Sequence, residues 1–317
     1  MDHARLSIGI DVGARWLDIA TWPSTTTTRF PNTAAGHQAL LAWLAERPAG
    51  RIACEASGGY ERGVAETLAA AGHGVRILPA ARVRQFARAG GHLAKTDRID
   101  AGVIAHCAAT FEAPALILDP ARRDLAELVA ARHQLIDALT TARNQGATLR
   151  MPRLRAMAEA RIGQLRAWIV ELDTAIAEHI ARHEPLARAD TLLRSVPGVG
   201  PATAARLLAD MPELGILSRQ KIAALAGVAP FANDSGQRQG KRRMRAGRRA
   251  VRCALYMAAL AASRHNPVLS ACHQRLRAQG KPPKLALGAL MRKLLVILNA
   301  ILRTQQPWNP RTPHAQA

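Results

Sequence analysis

The pattern of the chain changes sharply near residue 118, and that change bounds what it can fold into. Before it, short β-type runs at 6–12, 17–22, 51–55 and 74–78 alternate with helical stretches at 34–46, 60–71 and 98–109. Such alternation predicts an α/β layer domain. After it, residues 120–185 carry no strand signal and few glycines. Leu125, Leu128, Arg132, Leu135 and Leu139 recur at helical spacing, as do Ile162, Leu165, Ile169, Leu172 and Ile176, with Met151-Pro152 between the two runs. Two long helices are expected there, forming an antiparallel coiled-coil hairpin, a dimerisation arm, or amphipathic helices packed on a core. The last stretch adds glycine-rich turns and helical runs at 250–263 and 284–303. The expected organisation is thus 1–117, 118–190 and 191–317, and 317 residues suffice for two ordinary cores.

Four acids stand out against this frame. Asp11 closes the apolar run Ser7-Ile8-Gly9-Ile10-Asp11-Val12-Gly13, and Glu55 closes Arg51-Ile52-Ala53-Cys54-Glu55 ahead of the turn Ala56-Ser57-Gly58-Gly59. Asp97 and Asp100 lie three apart in Lys95-Thr96-Asp97-Arg98-Ile99-Asp100-Ala101, so on a helix they share a face. One expectation is local: strand-end and turn residues, with Thr96 as the cap of a solvated helix. The other is a shared site at the edge of a ribonuclease-H-like sheet. Gathered carboxylates repel unless a cation lies between them, and hard divalent ions prefer oxygen donors, so that site would hold Mg²⁺ for phosphodiester chemistry.

Charge points to a polyanion. The chain has 44 Lys and Arg against 23 Asp and Glu, for a formal net charge of +21. The excess is concentrated. Residues 1–117 hold 12 basic and 10 acidic residues and 118–190 hold 11 and 10, whereas 191–317 hold 21 basic residues against Asp210, Glu213 and Asp234 alone. A basic bias from genome composition would not spare the first 190 residues, so phosphate contacts with counterion release are expected of the last segment. With aromatics at 3%, arginine contacts rather than aromatic platforms are expected to dominate.

Cys54, Cys107, Cys253 and Cys272 are scattered without a Cys-x-x-Cys pair, which argues against zinc and against a disulfide framework and fits a reducing cytoplasm. The opening residues do not form a signal peptide. The longest apolar stretch, Leu285 to Leu302, is interrupted by Arg292 and Lys293 and is expected to be a helix of a soluble protein, with no membrane partner.

The basic segment opens with Leu193-Arg194-Ser195-Val196-Pro197-Gly198-Val199-Gly200-Pro201-Ala202-Thr203-Ala204. This is either a structural turn or a helix-hairpin-helix in which Gly198 and Gly200 leave backbone amides open to a phosphate. Further on, Asp234-Ser235-Gly236 leads into Arg238, Lys241, Arg242, Arg243, Arg245, Arg248 and Arg249. Ser235 is either a turn residue or a nucleophile, with Gly236 supplying backbone freedom and the cations offsetting charge on an attacked phosphate.

Taken in order, these marks resemble the DEDD-type transposases of bacterial insertion sequences, the "IS one-ten" family of bridge-RNA-guided recombinases. Gly9-Ile10-Asp11-Val12, Glu55-Ala56-Ser57-Gly58, Lys95 to Ala101, Pro197-Gly198-Val199-Gly200, Ala229-Pro230, Asp234-Ser235-Gly236, Leu255-Tyr256-Met257-Ala258, Lys284 and Met291-Arg292-Lys293-Leu294-Leu295 carry the resemblance over nearly the whole chain. Ala56-Ser57 departs slightly from the more usual threonine version.

The resemblance implies a RuvC-like α/β domain over 1–117 with Asp11, Glu55, Asp97 and Asp100 as ligands of Mg²⁺ (or Mn²⁺). It implies a coiled-coil segment over 118–190 and a mostly α-helical transposase domain over 191–317 with Ser235 as nucleophile. Double-stranded DNA at the element ends and target, a structured bridge RNA and a homo-oligomer (dimer or tetramer) are the implied partners, in the cytoplasm of a bacterium and associated with its nucleoid. Two other classes remain open at this point: a RuvC-like nuclease or junction resolvase using water, and a non-catalytic nucleic-acid binder.

Overall fold

The computed structural model describes residues 6–47, 49–91, 97–113, 115–232, 234, 240 and 242–311; Ala49 and residues 97–99 are described by backbone alone. The chain divides into two compact units, Met1–Asp119 and Pro120–Ala317.

The first unit is a mixed α/β layer. Its elements are β1 (Leu6–Val12), β2 (Trp16–Trp22), β3 (Thr27–Pro31), α1 (Ala34–Ala45), β4 (Ala49–Glu55), α2 (Arg62–Ala70), β5 (Val75–Leu78), α3 (Ala80–Ala89) and α4 (Asp97–Thr110). The sheet order is β3-β2-β1-β4-β5, with β1/β2 and β2/β3 antiparallel and β1/β4 and β4/β5 parallel. Because side chains alternate across a strand, the sheet presents two different faces. Ile8, Ile10, Val12, Leu17, Ile19, Ile52 and Cys54 pack on one face with Leu40 and Leu44 of α1 and Val64 and Leu68 of α2. Ala53 and Leu78 pack on the other with Val83 of α3 and Ile104 and Cys107 of α4. Each fully buried aliphatic side chain contributes about 1.5–3 kcal/mol, which makes the apolar alternation the reason these segments are strands.

Strand β3 was absent from the sequence expectations. It is a threonine-rich edge strand of alternating exposed and half-buried residues, with no apolar run to announce it. Helix α3 was also missed, because only Val83 of its ten residues is buried.

The second unit is mostly helical. It comprises α5 (Pro120–Ala147), α6 (Pro152–Arg182), α7 (Glu184–Arg194), α8 (Pro201–Asp210), α9 (Arg219–Leu225), β6 (Pro230–Phe231), β7 (Arg243–Met244), α10 (Arg249–His265), α11 (Pro267–Ala278) and α12 (Pro283–Thr304). Helices α5 and α6 form an antiparallel hairpin about a short turn ending at Met151. Toward its tip, Leu139, Ala142 and Leu165 make a small cluster with Leu135, Ala138, Ile162 and Ile169. At its base Leu125, Val129, Ile176 and Ile180 join the main core, so amphipathic packing on a core describes that end. Arg132 interrupts the apolar run because it bridges the hairpin, its guanidinium donating to both carboxylate oxygens of Asp173 at 2.6 and 3.1 Å.

Helix α12 is long and apolar enough to cross a membrane by length and composition alone, but it is the core helix of this unit. Leu287, Leu290, Leu294, Leu295, Leu298 and Ile301 are all buried. Buried Asn299 accepts from the Gly215 amide at 2.8 Å and donates to the Leu217 carbonyl at 3.0 Å, fastening the loop before α9 to this helix.

Candidate functional site

The first candidate site is the edge of the sheet where β1 and β4 end. Ile10 pairs with Cys54 in parallel register, so Asp11 and Glu55, one step further, stand side by side at the ends of neighbouring strands. Gly9 and Ala53 precede them by two residues and face α4, so Asp11 and Glu55 project from that same face. Helix α4 runs antiparallel to β1. Its Ala101 and Ala105 lie over Gly9, while the Ala108 and Ala109 carbonyls accept from the Arg51 guanidinium at 3.1 and 2.9 Å near the start of β4. The N-terminal turn of α4, which carries Asp97 and Asp100, therefore lies over the strand ends that carry Asp11 and Glu55.

Glycine at position 9 makes this crossing possible. A Cβ there would sit 2.9 Å from Ala105 Cα and closer still to the Ala101 carbonyl oxygen and Ala105 nitrogen. The backbone after Glu55 is also held in shape. Gly58 and Gly59 take positive φ values of 70° and 109°, which glycine adopts without a Cβ clash. The buried Glu61 carboxylate accepts from the amides of Ser57 and Gly59 at 3.0 and 2.9 Å, and the Ser57 hydroxyl donates to the Glu55 carbonyl at 3.0 Å.

A fifth acid borders the group. Asp18 is the cross-strand partner of Asp11, and both of its carboxylate oxygens accept from Arg29 of β3 at 2.9 Å. Sequence reading did not single out this pair, because its register depends on the unannounced strand β3. Among the described residues, no three carboxylate, imidazole or thiol side chains gather closely enough to hold a metal ion. The fourth acid, Asp97, contributes only backbone to the description. The donor chemistry of the set is all carboxylate oxygen, which fits a hard divalent ion.

The second candidate site lies in the helical unit. Helices α7 and α8 meet through the turn Ser195–Gly200, where Gly198 has φ 104°. A Cβ on Gly198 would lie 2.6 Å from Ala262 Cβ of α10, so packing alone already requires glycine there. Gly200 caps α8 and is exposed, and a Cβ there would meet nothing within 4 Å.

Beyond α9 the chain forms a two-stranded ladder in which Pro230 pairs with Met244 and Phe231 with Arg243. The segment between these strands contains Ser235. Ser235, Arg238 and Lys241 lie outside the described residues; Asp234, just before the serine, accepts from the Gly240 amide at 2.9 Å. Pro230 and Met244 line a groove of about 1110 Å³ with parts of α9, α10 and α12. Arg219, Arg242, Arg252, Lys284, Arg292 and Lys293 also line it, and no acid among the described residues does. Among the described residues none of these six is ion-paired with a carboxylate. Charge counting found the excess but not the groove, since these cations are up to 74 positions apart and meet only through helix packing.

The downstream tract is not uniform. Arg243 belongs to β7, Arg245 is exposed beside it, and Arg249 opens α10. Arg248 is committed within the fold: it donates to both carboxylate oxygens of Glu213 at 2.5 and 2.6 Å and to the Asp210 carbonyl at 2.7 Å. Burial pushes the Glu213 carboxyl up, but the hydrogen bonds and charge of Arg248 outweigh it and hold the group below its ordinary value.

Comparison with known sequences converges on these same segments. Residues 8–149 match the IS110-type DEDD transposase family, and residues 190–274 match the family described as "Transposase IS116/IS110/IS902 family". The chain is 27% identical over 324 residues to the Pilin gene-inverting protein of Moraxella bovis, an alignment spanning 96% of this chain and 98% of that one. It is 36% identical over 155 residues to the Insertion element IS900 uncharacterized 42 kDa protein of Mycobacterium paratuberculosis, covering 47% of this chain and 37% of that protein. A third relative, the Insertion element IS110 uncharacterized 43.6 kDa protein of Streptomyces coelicolor, is 28% identical over 232 residues, 68% of this chain and 55% of its own. With a DEDD-type first unit and a transposase-type second unit matched in order, the chain belongs to the IS110 family of DEDD transposases.

Proposed function

We propose that this transposase cuts and rejoins DNA through a covalent phosphoserine link, with Ser235 as nucleophile and Asp11, Glu55, Asp97 and Asp100 as the ligands of Mg²⁺ or Mn²⁺. The observation that carries the acidic half is the register of β1 and β4, which sets Asp11 beside Glu55 under the N-terminal turn of α4. The sheet order β3-β2-β1-β4-β5, antiparallel on one side of β1 and parallel on the other, supports the RuvC-like, ribonuclease-H-like assignment of this unit. A divalent ion bound by these acids supplies Lewis-acid polarisation of a phosphate oxygen.

The serine does the covalent work. Its Oγ attacks the scissile phosphorus, the P–Oγ bond forms as the P–O bond to the departing strand breaks, and the serine proton leaves on that strand's hydroxyl. A hydroxyl of the exchanged strand then attacks the phosphoserine, restoring both the phosphodiester and the serine. Each step exchanges one phosphodiester for another, so strand exchange needs no nucleotide cofactor. Arg238, Lys241, Arg242, Arg243, Arg245 and Arg249 hold nucleic-acid backbone, and the Gly198–Gly200 turn offers amides at the start of α8 to a phosphate. The partners are double-stranded DNA at element ends and target, a structured bridge RNA and further copies of this chain, so that one subunit's acids meet another's serine. DNA inversion, which the Moraxella relative's name states of that protein, is one outcome of the same chemistry. The protein acts in the bacterial cytoplasm.

The test is a cleavage assay on DNA spanning an element junction, with Mg²⁺ and RNA transcribed from the element flank, resolved on a denaturing gel without protease. A protein–DNA adduct with wild type that disappears in Ser235→Ala supports the serine mechanism. Cleavage without adduct, unchanged in Ser235→Ala, refutes it in favour of hydrolysis by water.

A further inference from the structure

We infer that the cationic groove between α10, α12 and the β6–β7 ladder holds an unpaired DNA strand, with one base stacked on Tyr256. The inference rests on the proposed action of Ser235 on DNA and assigns the place where that strand lies.

Three observations converge on it. First, among the described residues the groove's charge is all of one sign: Arg219, Arg242, Arg252, Lys284, Arg292 and Lys293 line it without an acid. That complements a phosphate backbone and nothing neutral or cationic. Second, between the cations the wall is apolar, including Val228, Met244, Leu285, Met291 and Val296, and among the described residues it contains one aromatic ring, Tyr256 of α10. The ring is 39% exposed. An exposed ring among cations that form no ion pair with a carboxylate, of which Arg252 also donates to the Ala246 carbonyl at 2.7 Å, has the two parts of a single-strand site, a stacking surface and a charged track. Bases in a duplex hide their faces against one another, so only an unpaired base can use the ring.

Third, the occupant's identity follows from the ladder. Pro230 and Met244 are paired, and both line the groove, so the chain segment carrying Ser235 leaves the groove wall at one end and returns to it at the other. The Met244 side chain reaches α12 at Gly288, where a Cβ would lie 2.8 Å from its Cε, so the ladder touches the groove wall. Ser235 lies four positions after Phe231, and four steps of chain span at most about 14 Å. The proposed action of Ser235 requires the strand it attacks to lie beside this segment, and that strand is DNA.

The experiment measures fluorescence anisotropy of a labelled DNA single strand, the same sequence as duplex, and the same sequence as RNA, on full-length protein. Tyr256→Ala is expected to weaken single-stranded DNA by about tenfold, with duplex affinity changed by less than about twofold. Tyr256→Phe keeps the ring and should retain affinity within about twofold. Arg292→Gln should lower the slope of log affinity against log salt by about 0.7 for the single strand. A 2-aminopurine substituted into the DNA strand should be quenched on binding wild type, a readout that needs no variant. No change in single-strand affinity with Tyr256→Ala, equal weakening of duplex, or a larger loss for RNA than for DNA would overturn the proposal. The adduct gel run on the same preparations separates the two claims. No adduct together with a Tyr256-dependent single-strand affinity refutes the nucleophile and supports the groove; an adduct with Tyr256→Ala binding unchanged refutes the groove alone.

Discussion

Replacing Gly9 by alanine tests how the acidic edge is assembled. The added methyl would lie 2.9 Å from Ala105 Cα, with the Ala101 carbonyl oxygen and Ala105 nitrogen closer still. Carbon atoms settle at about 3.5–4.0 Å, so α4 must move off β1 by about 1 Å or the strand must bend. Overpacking of this kind costs about 1–3 kcal/mol. For a unit the size of Met1–Asp119 this lowers the melting temperature by roughly 4–12 °C. The same displacement carries the first turn of α4 away from the ends of β1 and β4, and if the proposed acids form the reacting centre, a misplacement of about 1 Å costs on the order of 100-fold in rate. Differential scanning calorimetry reads the first effect, and strand cleavage at a temperature where the variant is fully folded reads the second. Gly102, one residue past the contact, meets nothing within 4 Å, so Gly102→Ala is the matched control and should do neither. A Gly9→Ala protein with wild-type melting and wild-type cleavage would refute the packing of α4 on β1 as what sets the first turn of α4 over the ends of β1 and β4.

Other outcomes follow from the same geometry. Mg²⁺ or Mn²⁺ should raise the melting temperature of wild type but not of Asp11→Ala, by about 1–3 kcal/mol of linkage at saturating ion, whereas chelation should stop cleavage and leave nucleic-acid binding intact. The depressed Glu213 carboxyl contributes stability that is complete above the ordinary carboxylate range and lost as pH falls through its folded value. Urea midpoints of wild type should therefore drop on acidification below about pH 4.5, and Glu213→Gln should flatten that fall. Asn299→Leu leaves the Gly215 amide without its acceptor and should cost about 1–3 kcal/mol in urea denaturation. A disulfide-exchange reagent on the native protein should modify exposed Cys253 first and spare Cys54, whose buried thiol is pushed up to about 12, until the protein is unfolded.

Much of the fold was legible because burial writes itself as periodicity. The runs ending at Asp11 and Glu55 alternate or continue in apolar residues, and β1 and β4 appear where expected. Helices α10 and α12 likewise follow from their apolar stripes. What escaped were elements with little burial of their own: β3, with half-buried but no fully buried residues, and α3, with Val83 as its single buried anchor. Arg132 illustrates a different gap. Its spacing placed it in an apolar run, while its partner Asp173 is 41 residues away and becomes visible only once the hairpin folds.

The sequence by itself determined that the first segment is a layered α/β unit, that its acids fall at strand ends and on one helix, and that the cations collect in the last segment. These are local consequences of residue type and spacing. Only the tertiary structure decided that α4 runs back over Gly9 and so brings its first turn to Asp11 and Glu55. It alone decided that Arg248 belongs to Glu213 rather than to the open tract, and that cations from α9, α10, α12 and the segment before β7 share one groove with Tyr256. Each of those depends on residues tens of positions apart meeting through packing, where the energy comes from buried area and close approach rather than from any preference written along the chain.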